Sequence, residues 1–161
     1  MGNQDEAVSL ELAREVYEEA CTALDDIGWT YNRDDEELRI RTRVSGDDIP
    51  MDIIIEVRPK TGILRVLSYM PFKINEDKAI DAAIACGEVN CRMVNGSFDF
   101  DIDDNSIRFR VTTAYLEAKP HKEVYPYMIH LAVNTVDDYN DKFLMISKGV
   151  LSIQDFLASF E

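Results

Sequence analysis

The sequence predicts an α+β fold in which helices cover an antiparallel β-sheet, and three observations carry that reading. The strand-like segments alternate apolar and polar residues with a period of two. They are joined by links of hairpin length. They also come in blocks, with helical segments before, between and after them instead of one helix per strand. The predicted order is α-β-β-β-β-α-β-β-α-α.

Each element has its own warrant. Residues 9–27, SLELAREVYEEACTALDDI, place Leu12, Val16, Ala20, Ala23, Leu24 and Ile27 at helical spacing, with Ser9 as cap and Gly28 as stop. Trp29-Thr30-Tyr31 reads as a short strand and Asp34-Asp35 as a turn. In residues 37–44, ELRIRTRV, Leu38, Ile40, Thr42 and Val44 share one face while Arg39, Arg41 and Arg43 share the other, the pattern of a half-buried antiparallel strand. Residues 51–58 and 63–70 are β-branched runs around the hairpin loop Pro59-Lys60-Thr61-Gly62, and Ile53-Ile54-Ile55 suggests a central strand. Asn75 caps a second helix, whose buried side is expected to carry Ile80, Ala83, Ile84 and Val89. A long helix from near Lys122–Pro126 to Lys148-Gly149 follows. Ser152 and Asp155 then form a capping box for a last short helix with Phe156, Leu157 and Phe160.

Residues 97–113, SFDFDIDDNSIRFRVTT, form one hairpin. With Asp104-Asn105 as a two-residue turn, Ile102 faces Ile107, Asp101 faces Arg108, Phe100 faces Phe109 and Asp99 faces Arg110. One face becomes Phe98, Phe100, Ile102, Ile107, Phe109 and Val111, which is core. The other sets Asp99, Asp101 and Asp103 against Arg108 and Arg110.

The chain has 161 residues, read as one domain over 1–161, and a domain of this size buries roughly 70% of its unfolded surface. Its formal net charge of -14, from 31 acidic and 17 basic residues, repels phosphate backbones and anionic lipid and so argues against nucleic-acid or membrane-surface binding. The polar start MGNQDEAVS has no signal-peptide pattern, and Glu6 stands where a myristoylation motif needs Ser or Thr. No apolar run approaches the ~18–20 residues of a membrane span, so a cytoplasmic location is expected. Three cysteines are an odd number without zinc-knuckle spacing. Cys86 and Cys91, five apart, diverge by about 140° around a helix, and buried reduced thiols are the expectation.

The candidate sites are few. Asp99-Phe100-Asp101-Ile102-Asp103-Asp104 resembles a calcium loop only in its acids, because an EF-hand needs Gly at its sixth position and a carboxylate at its twelfth, where this chain has Asp104 and Arg110. A cross-strand charge ladder is the better account. No metal or cofactor is expected. The stripe Arg39, Arg41, Arg43, on the face that also shows Arg108 and Arg110, has two readings: pairing with Asp52, Glu56 or Asp101, or a basic patch that receives an acidic peptide or second subunit. His121 and His130 have no neighbouring nucleophile signature, and there is no Walker loop, GxGxxG, HExxH or CxxC.

Asn90-Cys91, Asn95-Gly96-Ser97-Phe98-Asp99-Phe100-Asp101 and the run Asp104 to Arg110, with Asn134, Asp137 and Tyr139 in the long helix, resemble the YbjN-type family of sensory-transduction regulators over residues 75–160. The match departs at Asn105-Ser106, where members often carry Gly and an acid. The resemblance implies a type III secretion chaperone-like fold, the fold of small acidic proteins that often dimerise and bind polypeptides, and it brings no catalytic residues. The expected function is therefore a non-enzymatic, homodimeric protein-binding module, chaperone-like or regulatory. The alternative is a small-molecule-binding protein or enzyme with a pocket between sheet and helices.

Overall fold

The computed structural model describes residues 2–161, with side-chain surroundings from Leu10 onward. Helix α1 (Gly2–Asp26) leads into β1 (Asn32–Asp34), β2 (Arg39–Ser45), β3 (Pro50–Arg58) and β4 (Ile63–Lys73). Helix α2 (Ala79–Arg92), the hairpin β5 (Ser97–Asp101) and β6 (Ser106–Ala114), and helices α3 (Val124–Ser147) and α4 (Ile153–Ala158) complete the chain. The element order is the predicted one. The six strands form one antiparallel sheet in the spatial order β1-β2-β3-β4-β6-β5.

Alternation decides which face is core. Ile40, Met51, Ile53, Ile55, Val57, Leu64, Val66, Phe98, Ile107, Phe109 and Val111 point to one side, where Val16, Ala20 and Leu24 of α1 and Met128, Ala132, Val136 and Phe143 of α3 meet them. Burying such side chains contributes roughly 1.5–3 kcal/mol each. Leu67, of opposite parity on β4, is buried yet lies outside that cluster. The four helices thus cover one face, and the opposite face of the sheet carries no helix.

Several local expectations are corrected. α1 is already helical at Gly2, so Ser9 lies within the helix and does not cap it; no Pro or Gly between Asn3 and Ser9 would break it. The first strand begins at Asn32, not Trp29, because the helix end claims Trp29. Gly28 (φ 73°) enters the left-handed region, the Trp29 N–H bonds to the Leu24 carbonyl at 3.0 Å and the Gly28 N–H bonds to that of Asp25 at 3.0 Å. Asn75 does not cap α2. Its side-chain amide donates to the Ser147 carbonyl (2.8 Å) and its backbone N–H to Ser147 Oγ (3.0 Å), tying the end of β4 to the end of α3, and a short 3-10 turn, Glu76–Lys78, precedes α2.

The buried face of α2 is also rotated from the expected one. Ala82, Ala85, Cys86 and Val89 are buried, whereas Ile80 is 76% and Ile84 45% exposed, with Ala83 also outside. The helix lies so near β5 that the Asn90 side chain reaches the Phe98 backbone, and only small residues fit between. By contrast, Ser152 caps α4 as expected, accepting from the Asp155 N–H at 3.0 Å.

The β5–β6 hairpin is shifted by two residues. Asp99 faces Arg108, Phe100 faces Ile107 and Asp101 faces Ser106, leaving Ile102 to Asn105 as a four-residue loop. Two side-chain-to-backbone turns build it: Asp101 Oδ1 accepts from the Asp103 N–H and Asp104 Oδ1 from the Ser106 N–H, both at 3.0 Å, with Asn105 at φ 56°. Ile102, expected in the core, is 76% exposed at the loop. A shift of two preserves the alternation, so the remaining inward residues keep their face.

Candidate functional site

The helix-free face is assembled from strands that are distant in sequence. The register aligns Asn32, Arg41, Ile54, Leu67, Arg110 and Ser97 in one row across all six strands. A second row runs through Arg43, Asp52, Tyr69, Arg108 and Asp99, and a third through Asp34, Arg39, Glu56, Arg65 and Thr112. All five sequence-predicted arginines, Arg39, Arg41, Arg43, Arg108 and Arg110, therefore share this face. Arg65, Tyr69 and Ile54 join them, unrecognised from the sequence as site residues. The strand pairing places them there: Ile54 lies opposite Arg41, Arg65 opposite Glu56 and Tyr69 opposite Asp52 and Arg108.

The arginines are unevenly matched with carboxylates. Glu56 sits between Arg39 (3.0 Å) and Arg65 (2.5 Å). Asp99 takes Arg110 at 2.8 and 2.9 Å and Arg108 at 3.3 Å. Arg43 holds Asp52 in a two-point bond at 2.7 and 3.1 Å. Arg41 is exposed and its side chain makes no ion pair or hydrogen bond among the described residues. Five guanidiniums thus share the three carboxylates Glu56, Asp52 and Asp99 and that of Arg41 has none among the described residues, while the marginal acids Asp34 and Asp101 each accept a turn N–H. The hydrogen bonds from Arg110, opposed by partial burial and assisted by Arg108, hold the Asp99 carboxyl below the usual carboxylate range. Over Ile54 the face dips into a depression of about 510 Å³ bounded by Asn32, Arg41, Arg43, Asp52 and Tyr69.

Charge pairing of the kind expected is present for Arg39, Arg43, Arg108 and Arg110. The three hairpin carboxylates do not act together, however. Asp99 turns to the arginines, Asp101 accepts from the loop backbone and Asp103 is exposed in the loop; the neighbouring Asp104 accepts from Ser106 and from Lys73 (2.9 Å), which lower its pKa to about 2. Among the described residues no three His, Cys, Asp or Glu side chains are grouped as a metal site would require. His121 and His130 are both exposed. Cys21 and Cys86 are buried, which pushes their thiols up to about 11 and about 12, but Cys91 is exposed, contrary to expectation, because it follows Gly87 on the outer side of α2.

The residues behind the family resemblance have structural work. The Asn90 side chain closes on the outer edge of β5, accepting from the Phe98 N–H at 2.7 Å and donating to its carbonyl at 3.0 Å. Gly96, at φ 79°, leaves room for Phe109, whose Cζ would lie 2.2 Å from an added Cβ. Phe98 packs edge-on against Phe109, Tyr139 and Phe143. Asp137 accepts the Asp47 N–H at 3.0 and 3.2 Å and pins the β2–β3 loop to α3.

This architecture defines the protein as an α+β protein with a type III secretion chaperone-like fold. Residues 18–145 match the YbjN family, described as "Putative bacterial sensory transduction regulator", and the chain belongs to it; the match extends well into the N-terminal half, beyond the 75–160 suggested by the motif residues. Among solved structures, YbjN from E. coli, described as "a putative transcription regulator", is similar with TM-score 0.55 and 10% identity, over 75% of this chain and 88% of that one. The ExsC-ExsE complex is similar with TM-score 0.58 and 12% identity, over 81% of this chain and 94% of its counterpart. No curated protein matches in sequence.

Proposed function

We propose that residues 1–161 form one non-enzymatic module that binds another polypeptide, with chaperone-like or regulatory action, and that its uncovered sheet face receives the partner. One observation carries the reading: a chain of net charge -14 gathers Arg39, Arg41, Arg43, Arg65, Arg108 and Arg110 on the face its helices leave bare, with Arg41 unpaired among the described residues. Family membership supports it, as does similarity to a protein solved in complex with another. Strand addition at β5 is the less favoured mode, because the Asn90 side chain already occupies the Phe98 backbone groups on that edge. Docking onto the face needs no such displacement.

The module works as a cytoplasmic homodimer in this reading, paired through α2. Ile80, Ala83, Ile84, Gly87 and Cys91 form an exposed, uncharged stripe, and the flanking charges pair locally, Lys78 with Asp81 and Glu88 with Arg92. Two such stripes are self-complementary across a two-fold axis. Affinity capture from native cytosol with reciprocal confirmation tests the binding function, and light scattering coupled to size exclusion tests the dimer. A dimeric mass at tens of micromolar that becomes monomeric in Ile84→Glu is expected. A monomeric wild type removes the dimer. A thermal-shift rise of several degrees with one metabolite, without a protein partner, replaces the binding module with a small-ligand protein.

A further inference from the structure

Resting on that reading, we propose that the bare sheet face recognises an extended acidic segment of the partner, crossing the strands with an acid-x-apolar-x-acid pattern. The row Arg41, Ile54, Leu67, Arg110 sets cations at both ends of an apolar interval on neighbouring strands β2, β3, β4 and β6. Strands lie about 4.8 Å apart, so the two arginine backbones stand about 14 Å from one another. An extended peptide rises about 3.3 Å per residue and turns alternate side chains to one side, so its residues i and i+4 are about 13 Å apart and face the same way. The spans match. Leu67 is itself covered, which leaves Ile54 and the ring of Tyr69, both half-buried, as the apolar floor of the depression. Residue i+2 seats there.

Charge selects the occupant. The two ends differ in kind. Arg41 is free to swing toward a carboxylate, since nothing among the described residues holds it. Arg108 and Arg110 share one carboxylate, Asp99, and retain a surplus positive charge, with Arg108 further ordered by the Tyr69 hydroxyl at 3.3 Å. Guanidinium forks of this kind favour carboxylates in two-point geometry. A polyphosphate chain meets the same arginines but also the field of the whole molecule at -14, whereas a short segment with two acids adds little charge of that sign. The peptide lies across the strands, so it needs none of the sheet's edge hydrogen bonds and leaves α2 in place.

The test uses the full chain and three fluorescein-labelled nonapeptides. The first is Ser-Thr-Glu-Thr-Leu-Thr-Glu-Thr-Ser, the second moves both acids next to each other at unchanged composition, and the third replaces both Glu by Gln. Fluorescence anisotropy follows binding, and ¹⁵N amide shifts locate it. Saturable binding of the first peptide about tenfold tighter than the second, lost about tenfold in Arg41→Glu and shifting amides of β2, β3, β4 and β6, is the expected result. Arg41 is exposed and unpaired among the described residues, so this variant is expected to fold, and its unfolding curve checks that. Equal binding of the first two peptides, no binding of any, or shifts confined to the helices would overturn the proposal. A partner captured equally by wild type and Arg41→Glu would overturn it too, while leaving the protein-binding function standing.

Discussion

Asn90 offers the sharpest test of how the family motif is used. Its amide brackets Phe98 with one accepted bond of 2.7 Å and one donated bond of 3.0 Å, on the outer edge of the sheet. Each such bond contributes about 0.5–1.5 kcal/mol net, so Asn90→Ala is expected to destabilise the protein by about 1–3 kcal/mol. Asn90→Asp separates the contributions. The carboxylate still accepts from the Phe98 N–H but turns its second oxygen on the Phe98 carbonyl, so this near-isosteric variant should lose at least as much as the alanine one. Urea unfolding at neutral pH, followed by circular dichroism, reads both. The freed Phe98 groups also reopen a strand edge, and slow concentration-dependent association is expected of Asn90→Ala. An aspartate variant as stable as wild type, or an alanine variant within about 0.5 kcal/mol of it, the lower bound for one bond, would refute the bracket.

Gly96→Ala combines a left-handed φ of 79° with a Cβ 2.2 Å from the buried ring of Phe109; strain of about 1–2 kcal/mol and overpacking of about 1–3 kcal/mol add to a Tm loss visible by calorimetry, and an unchanged Tm would contradict the packing described. Asp99→Asn removes the carboxylate between Arg108 and Arg110, which are about a third exposed, so after solvent screening a loss of about 1 kcal/mol is expected. Its sign with pH is fixed. A depressed folded pKa stabilises the fold fully above the unfolded value of 3.8, and the contribution is lost as pH falls through the lower folded value. The stability gap between wild type and variant should therefore be open at neutral pH and close below it in acid; a constant gap would point to packing alone.

The fold was legible wherever period and punctuation agreed. The Arg39–Arg43 alternation, the Pro59 to Gly62 link and the Ser152–Asp155 box each specify structure within a few residues. The structure departs from the pattern where a side chain or a helix end claims backbone groups. Asp101 and Asp104 rebuilt the hairpin loop as four residues, and the Gly28–Trp29 helix end delayed β1. On α2, hydrophobicity favoured Ile80 and Ile84 as core, but proximity to β5 admits only the smaller Ala82, Ala85 and Cys86. The arginine face was half visible. Hairpins alone place β3 beside β4 and β5 beside β6; only the long-range pairing of β4 with β6 brings Arg65 and Tyr69 into one surface with Arg108 and Arg110.

The most direct measurement of the central claim is the dissociation constant of the captured partner for wild type and Arg41→Glu, each at low and high salt. Docking on the arginine face predicts about tenfold weaker binding by the variant and a shallower salt dependence, since one exposed attractive charge has become repulsive. Identical constants and identical salt slopes would place the partner elsewhere on the molecule.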